Sequence, residues 1–600
     1  MTRALGPKAG WSSGGNPGGW IVLGVCWAFP VLFVIVWAAA WLASLITTGT
    51  VEGFGFAFVH HVVVGRTRQA WPNTPTPLVV ANTLALCAAA AVAALKAWRR
   101  IDARRGDPAD PVAALADNPG LDVLKPDMAS AQARELRVSL AKRSGPLPDH
   151  DIGLPLGDLK RPGGKTGPTL FASWEDSLVT FMAPRSGKTT CLSIPYVLSA
   201  PGPVIATSNK GDLWAATAQS RADDTGANIW LFDPQKITYQ PQKWWWDPLL
   251  GLAGVEDAHR LAGHFVLTVD DGSKKDLWGP AAQDLLASLF LAASSSGRTL
   301  HDVALWLDEP AVPTPVELLQ KAGFKLMASG LRGAQNGAVE TRDGIYQTAR
   351  TAAKALRDED ILAWVTPPEQ PLRRFNPDVF VTTRDALFLL SKSKSPAAPL
   401  IAALTDANMR AAERRAERSG GRIDPPLVVV LDEAANICRI ADLPELYSHL
   451  GSRGIIPVTI LQSYEQGQTV WGEQGMAALW GAATRKIIGA GVDSPRLARD
   501  LSTLVGQHDV AVRSITHGQG QASEQISLRR QDILEAAAIR ALPPGSALLL
   551  ATGGKPALLQ LRPWYRGPRA AEISAHMALA ERMIADAAND TADRPRRGHP

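Results

Sequence analysis

The stretch Ser177–Val197, SLVTFMAPRSGKTTCLSIPYV, constrains the fold of this 600-residue chain more than any other. A short apolar run ends in a turn closed by Gly187, Lys188 and Thr189, and a helical pattern follows. Strand, turn and helix in that order aim backbone amides and a helix N-terminus at one point, which is the geometry that holds a phosphate. In such a loop Ala183, Pro184, Arg185, Ser186, Gly187, Lys188, Thr189 and Thr190 wrap the phosphates. Lys188 reaches the β and γ groups of ATP, and the Thr189 hydroxyl meets Mg²⁺. Met182 stands where the motif usually opens with glycine, a position that eases the turn but gives the phosphates no side chain. A GKT triplet arises by chance in long chains, so a second motif has to decide.

That motif is PPLVVVLDEAANI, residues 425–437. Its strand is apolar on both faces, as strands of a covered parallel sheet are. It ends in two carboxylates: Asp432, placed to hold Mg²⁺ through water, and Glu433, placed to polarise the attacking water as general base. Two acids at a strand end also serve as an ordinary helix N-cap, but together with the loop they point to an NTPase. The strands of Lys188 and Asp432 are expected side by side. A third strand, IIPVTILQS (455–463), ends in Gln462, a γ-phosphate sensor in the catalytic reading and a capping residue otherwise.

Short β-rich runs recur at 203–209, 228–234, 378–391 and 547–553, alternating with helical ones, so the fold class is α/β with a mostly parallel central sheet. Between about 254 and 370 the alternation stops and the chain reads as helices, an all-α domain inserted into the α/β one. Residues 99–168 are rich in Pro, Gly and charge and read as a linker or stalk. The uncharged run Trp20–Ile46 is long enough to cross ~30 Å of hydrocarbon, and its apolar core is longer than a signal peptide uses. A second apolar run, Leu78–Leu95, ends at Lys96, Arg99, Arg100, Arg104 and Arg105; the alternative for it is a buried soluble helix. The basic cluster orients the chain with its short N-terminus and everything after residue 96 in the cytoplasm. The net charge of +5 carries little by itself, and Cys26, Cys87, Cys191 and Cys438 lack metal or disulfide spacing.

Taken in order, these motifs resemble the coupling proteins of type IV secretion and conjugation, the TraG and VirD-type membrane ATPases. The resemblance runs through Pro184–Thr189 as PxRSGKT, SNKGDLW (208–214), LDEAANI, GSRGIIPVTILQS (451–463), VDSPRLARDLSTLVGQ (492–507) and ALPPGSALLL (541–550). Members often lack the leading glycine of the loop, so Met182 departs from the generic motif more than from the family. The resemblance implies a RecA-like P-loop NTPase motor over 169–253 and 371–570, with the all-α domain inserted at 254–370. Two transmembrane helices at about 20–46 and 78–98 within residues 20–98, a cytoplasmic segment 1–19, and a C-terminal helix with a disordered tail over 571–600 complete it. It further implies ATP and Mg²⁺ as cofactors, a homo-hexamer at the bacterial inner membrane, and transfer of relaxase-bound single-stranded DNA or protein to type IV secretion channel proteins. A hexameric motor needs an arginine from the neighbouring subunit; Arg453 is the candidate, with a surface ion pair as the alternative, while Arg185 suits subunit contact. The rivals are an FtsK-like double-stranded DNA translocase and a nucleotide-bound receptor for secreted cargo. The WWW at 244–246 is read as packing rather than base stacking.

Overall fold

The computed structural model describes residues 17–47, 49–104, 110–116, 118–267, 278–393, 395–518 and 521–592. The expectations for residues 1–16, for the disordered tail at 593–600 and for Arg105 lie outside the described residues. The chain divides into two compact units, Met1–Ala113 with Asp509–Arg530, and Ala114–His508 with Gln531–Pro600.

In the first unit the helices Pro17–Thr47 and Thr76–Arg104 contain the windows Pro30–Thr47 and Thr76–Lys96, of mean hydropathy 2.1 and 2.2, each long and apolar enough to cross a membrane. They pack on each other where Ala39, Ala40 and Ala43 present no bulk, so the backbones approach closely, and Asn82 Nδ2 donates to Ala39 O at 3.3 Å. Leu32, Leu45, Ile46, Leu84 and Leu95 face outward. Between these helices Phe58, Ala70, Trp71 and Val79 form a small core with Ala40 and Ala43.

The second unit is built on an eleven-stranded sheet. In chain order the strands are β1 (Leu154–Arg161), β2 (Lys165–Ala172), β3 (Leu178–Phe181), β4 (Val204–Ser208), β5 (Ile229–Phe232), β6 (Trp244–Trp245), β7 (Arg373–Arg374), β8 (Ala386–Leu390), β9 (Leu427–Leu431), β10 (Ile455–Leu461), β11 (Arg485–Ile488), β12 (Gln507–Gly518), β13 (Gln521–Asp532), β14 (Ser546–Ala551) and β15 (Ala557–Gln560). The sheet order is β2-β1-β15-β14-β11-β3-β10-β9-β4-β8-β5; β6–β7 is a separate pair, and β12–β13 is another that falls almost wholly within the first unit. From β11 to β5 seven strands run parallel; β14, β15, β1 and β2 continue the sheet with antiparallel pairings. The α/β class with a mostly parallel sheet is borne out, because strands β4, β8 and β9 are buried along their whole length and need cover on both faces.

Two expectations are corrected. The stretch 99–168 is not linker throughout: β1 and the start of β2 lie in it, joined by the turn Pro162–Gly164, in which Gly163 and Gly164 take φ of +73° and +72°. The run 378–391 is a strand only from residue 386, since Pro377–Phe380 forms a helical turn capped by Asn376 Oδ1.

Helices from Val255–Val266 to Glu359–Leu362 fill the interval between β6 and β7. β6 and β7 pair with each other, so the chain leaves for these helices and returns from them at one place. The helix Trp278–Ser296 supplies their centre through Leu285, Leu286, Leu289 and Phe290, the last 5.2 Å from Phe265. At the root of the insertion Trp244 packs against Trp230, Phe232, Trp364 and Phe375 at centroid distances of 5.6, 6.0, 5.6 and 5.2 Å, and its indole N–H donates to Leu231 O. The tryptophan run is therefore packing, as expected. Trp244→Ala should remove about 3–5 kcal/mol from the stability of this junction. We expect thermal unfolding of the purified protein to show a lowered transition, and an unchanged transition would contradict the burial.

Candidate nucleotide site

The parallel strands all end on one edge of the sheet, and the candidate residues follow those ends. After β3 the chain turns at Met182, whose side chain covers Gly489; a Cβ on that glycine would stand 2.4 Å from Met182 Cγ. A methionine is accommodated at the head of the loop because a glycine faces it. The amides of Met182 and Ala183 donate to Leu461 O and Ala490 O at 3.1 Å each, which ties the loop to the tips of β10 and β11. Ala183 thus forms the wall rather than the cradle. Pro184 and Arg185 are exposed, and Arg185 takes a left-handed φ of 62°. Gly187 sits at φ +95°, a value that L side chains rarely adopt. Among the described residues the backbone amides of Gly187, Lys188 and Thr189 make no hydrogen bond, so three donors stay available at one point.

The helix then opens with a widened π turn, Thr189–Ser193. Its extra width keeps residues four apart on one side, and both hydroxyls use it: Thr189 Oγ1 and Ser193 Oγ donate to Asp432 Oδ2 at 2.9 and 3.0 Å. Thr207, at the end of β4, donates to Asp432 O at 2.9 Å. Asp432 Oδ1 is buried and has no hydrogen-bond partner. A carboxylate oxygen left in that condition beside a threonine hydroxyl suits a hard cation that keeps most of its water, as Mg²⁺ does. Burial pushes the Asp432 carboxyl above its ordinary value, although Lys188 and Thr189 oppose the shift.

Glu433 adopts a left-handed φ of 59°, an uncommon conformation for a residue with a side chain, which functional sites sustain when their surroundings fix it. What fixes it here is a set of three side-chain partners, two of them braced in turn by Gln466. Lys188 Nζ is ion-paired with Glu433 Oε1, with side chains 11% and 8% exposed. Asn436 Nδ2 and Gln462 Nε2 donate to Oε2 at 2.6 and 2.8 Å. Gln466 binds the Gln462 amide N–H through its own side-chain carbonyl and donates to Asn436 Oδ1. Burial alone would raise the Glu433 carboxyl, but the Lys188 ammonium, Gln462 and Asn436 outweigh it and hold the group below the usual carboxylate range.

Lys188, Thr189, Asp432, Glu433 and Gln462 are thus brought together. The strands of Lys188 and Asp432 are not neighbours, contrary to expectation: β10 lies between β3 and β9. Two strand spacings of ~4.8 Å are bridged by the long Lys188 side chain, and Gln462, at the tip of the intervening strand, joins Glu433 from the middle. Arg453 is not part of the cluster. It precedes β10, whereas Gln462 follows it, and its guanidinium pairs with Glu413 at 3.2 Å and Glu417 at 3.4 Å. The sequence reading missed Ser193, Thr207, Asn436 and Gln466. Ser193 lies four residues after Thr189 on one helical turn, a spacing that a helix-face search would have found, whereas Gln462 precedes the helix that carries Gln466.

Residues 426–544 match the family described as the TraM recognition site of TraD and TraG. Over this segment the likeness to coupling proteins is borne out. No curated protein matches the chain at a significant level. Among solved structures, it is similar to the unbound monoclinic form of the bacterial conjugative coupling protein TrwBdeltaN70 at 16% identity. That match covers 68% of this chain and 88% of the other, with a TM-score of 0.49. The plasmid coupling protein TrwB in complex with ADP and Mg²⁺ aligns at 16% identity over 72% of this chain and 92% of the other, with a TM-score of 0.48. VirB4 of Thermoanaerobacter pseudethanolicus aligns at 13% identity over 70% and 98%, with a TM-score of 0.41.

With Asp432 as an Mg²⁺ ligand, a proton would compete with the metal for a carboxyl whose pKa burial raises, so Mg²⁺ affinity of the protein with ADP should start to fall at a higher pH than an ordinary aspartate would give. Asp432→Asn should weaken Mg²⁺ binding and flatten that dependence, as read by Mg²⁺ titration at several pH values against ADP alone.

Proposed function

We propose that this chain is a membrane-anchored ATPase that couples recruitment of a macromolecular substrate to a type IV secretion or conjugation channel. The observation that carries the reading is the meeting of Lys188, Thr189, Asp432, Glu433 and Gln462 at the carboxyl edge of a parallel sheet. The three free amides of Gly187, Lys188 and Thr189 with the Lys188 ammonium hold the triphosphate of ATP. Thr189 and Asp432 hold Mg²⁺, which when bound neutralises charge on the β and γ phosphates. Glu433, kept ionised by its donors, orients a water and takes up its proton. Gln462 links that carboxylate to the helix Tyr464–Ala482, so a change at the γ-phosphate has a route into the body of the motor.

Membrane anchoring is supported by the two apolar helices and the basic residues that end the second one. In this reading residues 20–98 are the anchor, 169–253 and 371–570 with β1 form the motor, and 254–370 receives substrate from the cytoplasm. Residues 426–544 are the surface that meets a relaxosome-type protein partner in this reading, which the matched family's description as a TraM recognition site supports. A homo-hexamer carrying single-stranded DNA or nucleoprotein is part of the same proposal. Arg453, remote from its own Gln462, would reach a phosphate only in a neighbouring subunit.

Lys188→Ala should abolish ATP hydrolysis by the purified protein while membrane insertion is retained. Glu433→Gln should lower turnover about 10²–10⁴-fold with ATP still bound. Steady-state phosphate release checks both, and wild-type turnover in either variant would overturn the site.

A further inference from the structure

Sheet topology fixes which way a bound nucleotide must point. β10 and β9, with Gln462, Asp432 and Glu433 at their ends, lie on one side of β3; β11, β14 and β15 lie on the other. The metal and γ-phosphate end belongs with the carboxylates. The nucleoside therefore leaves the loop past Thr190 and Cys191, on the side toward β15.

Two antiparallel pairings, β11 with β14 and β14 with β15, make β15 run in the same direction as β3, so its Gln560 end opens on the edge that carries the loop. Directly beyond it lies Leu-Arg-Pro-Trp-Tyr-Arg, residues 561–566, whose last three form a 3₁₀ turn closed by Arg566 N to Pro563 O at 3.0 Å. This turn packs against the π turn Thr189–Ser193. Trp564 anchors it in the same core as Leu192, Ile194 and Tyr196. The Tyr565 ring is held edge-on to Trp564, at 5.8 Å and 81°, and remains 54% exposed. Arg566 is exposed and has no carboxylate partner among the described residues. The catalytic cluster uses neither Tyr565 nor Arg566.

We propose that the turn Trp564–Arg566 is the nucleoside end of the site, with the Tyr565 ring stacking on the base and Arg566 meeting the α-phosphate. The inference rests on the ATP-binding reading above and adds to it the element that recognises the base. Aromatic stacking tolerates any base because every base has a π face. The wall therefore supplies affinity rather than a strict choice among nucleotides.

The test uses the full-length protein in detergent with Mg²⁺, titrated calorimetrically with ADP and, separately, with tripolyphosphate. Tyr565→Ala should weaken ADP about tenfold and leave tripolyphosphate unchanged, Tyr565→Phe should restore ADP binding, and Arg566→Gln should weaken both ligands. ADP affinity in Tyr565→Ala equal to wild type, or an equal loss of both ligands in that variant, overturns the inference while the phosphate site stands. Wild-type protein that binds neither ligand overturns the ATP-binding reading itself, and this inference with it.

Discussion

A buried lysine facing two buried carboxylates is the interaction on which the arrangement depends. Taking such charges out of water costs several kcal/mol per ion, so the cluster of Lys188, Asp432 and Glu433 persists only where hydrogen bonds complete the shell. The sheet supplies them from four strand ends and the helices that follow: Thr189 and Ser193 after β3, Thr207 at the end of β4, Asn436 after β9, and Gln462 with Gln466 after β10. The left-handed backbone of Glu433 is held by the same set, while the loop itself is tied down by the Met182 and Ala183 amides on Leu461 O and Ala490 O. The parallel sheet matters because it brings all of those ends to one edge.

The sequence was legible where a physical signal was strong. Strands buried on both faces leave apolar runs, and β4, β9 and β10 lie where such runs predict. Lys188, Thr189, Asp432, Glu433 and Gln462 could be named because each ends or follows such a run. β1 and β2 were hidden for the opposite reason: they form an outer hairpin with exposed Lys165 and Thr166 and a glycine turn, so their composition is that of a linker. Strand order was hidden as well. Nothing local in β3 or β9 records that β10 stands between them, and this one fact explains why Gln462 reaches Glu433. Arg453 was named from the needs of a hexameric motor, and in space the seven-residue strand β10 separates it from Gln462 while Glu413 and Glu417 pair with it.

The helical insertion and the loop head show two ways in which the α/β core accommodates departures from a simple pattern. The insertion is rooted beside β5, where β6 and β7 pair and the aromatic group around Trp244 closes the junction. The core strands are consequently left unbroken by a largely helical insertion of more than a hundred residues between β6 and β7. At the loop head, Met182 replaces glycine without distorting β3, because Gly489 on the adjoining strand end leaves room for its side chain. A substitution that looks disabling in one motif is matched by a small residue more than three hundred positions later.

The loop after β3 and the acidic end of β9 should enclose one metal ion together with the nucleotide phosphates. Fe²⁺ substituted for Mg²⁺ in the presence of ADP, with ascorbate and peroxide, cleaves the backbone beside the bound metal. Two ADP-dependent cuts are expected, one close to Thr189 and one close to Asp432, both suppressed by excess Mg²⁺. Cleavage at only one of these segments, or at neither, would contradict that enclosure.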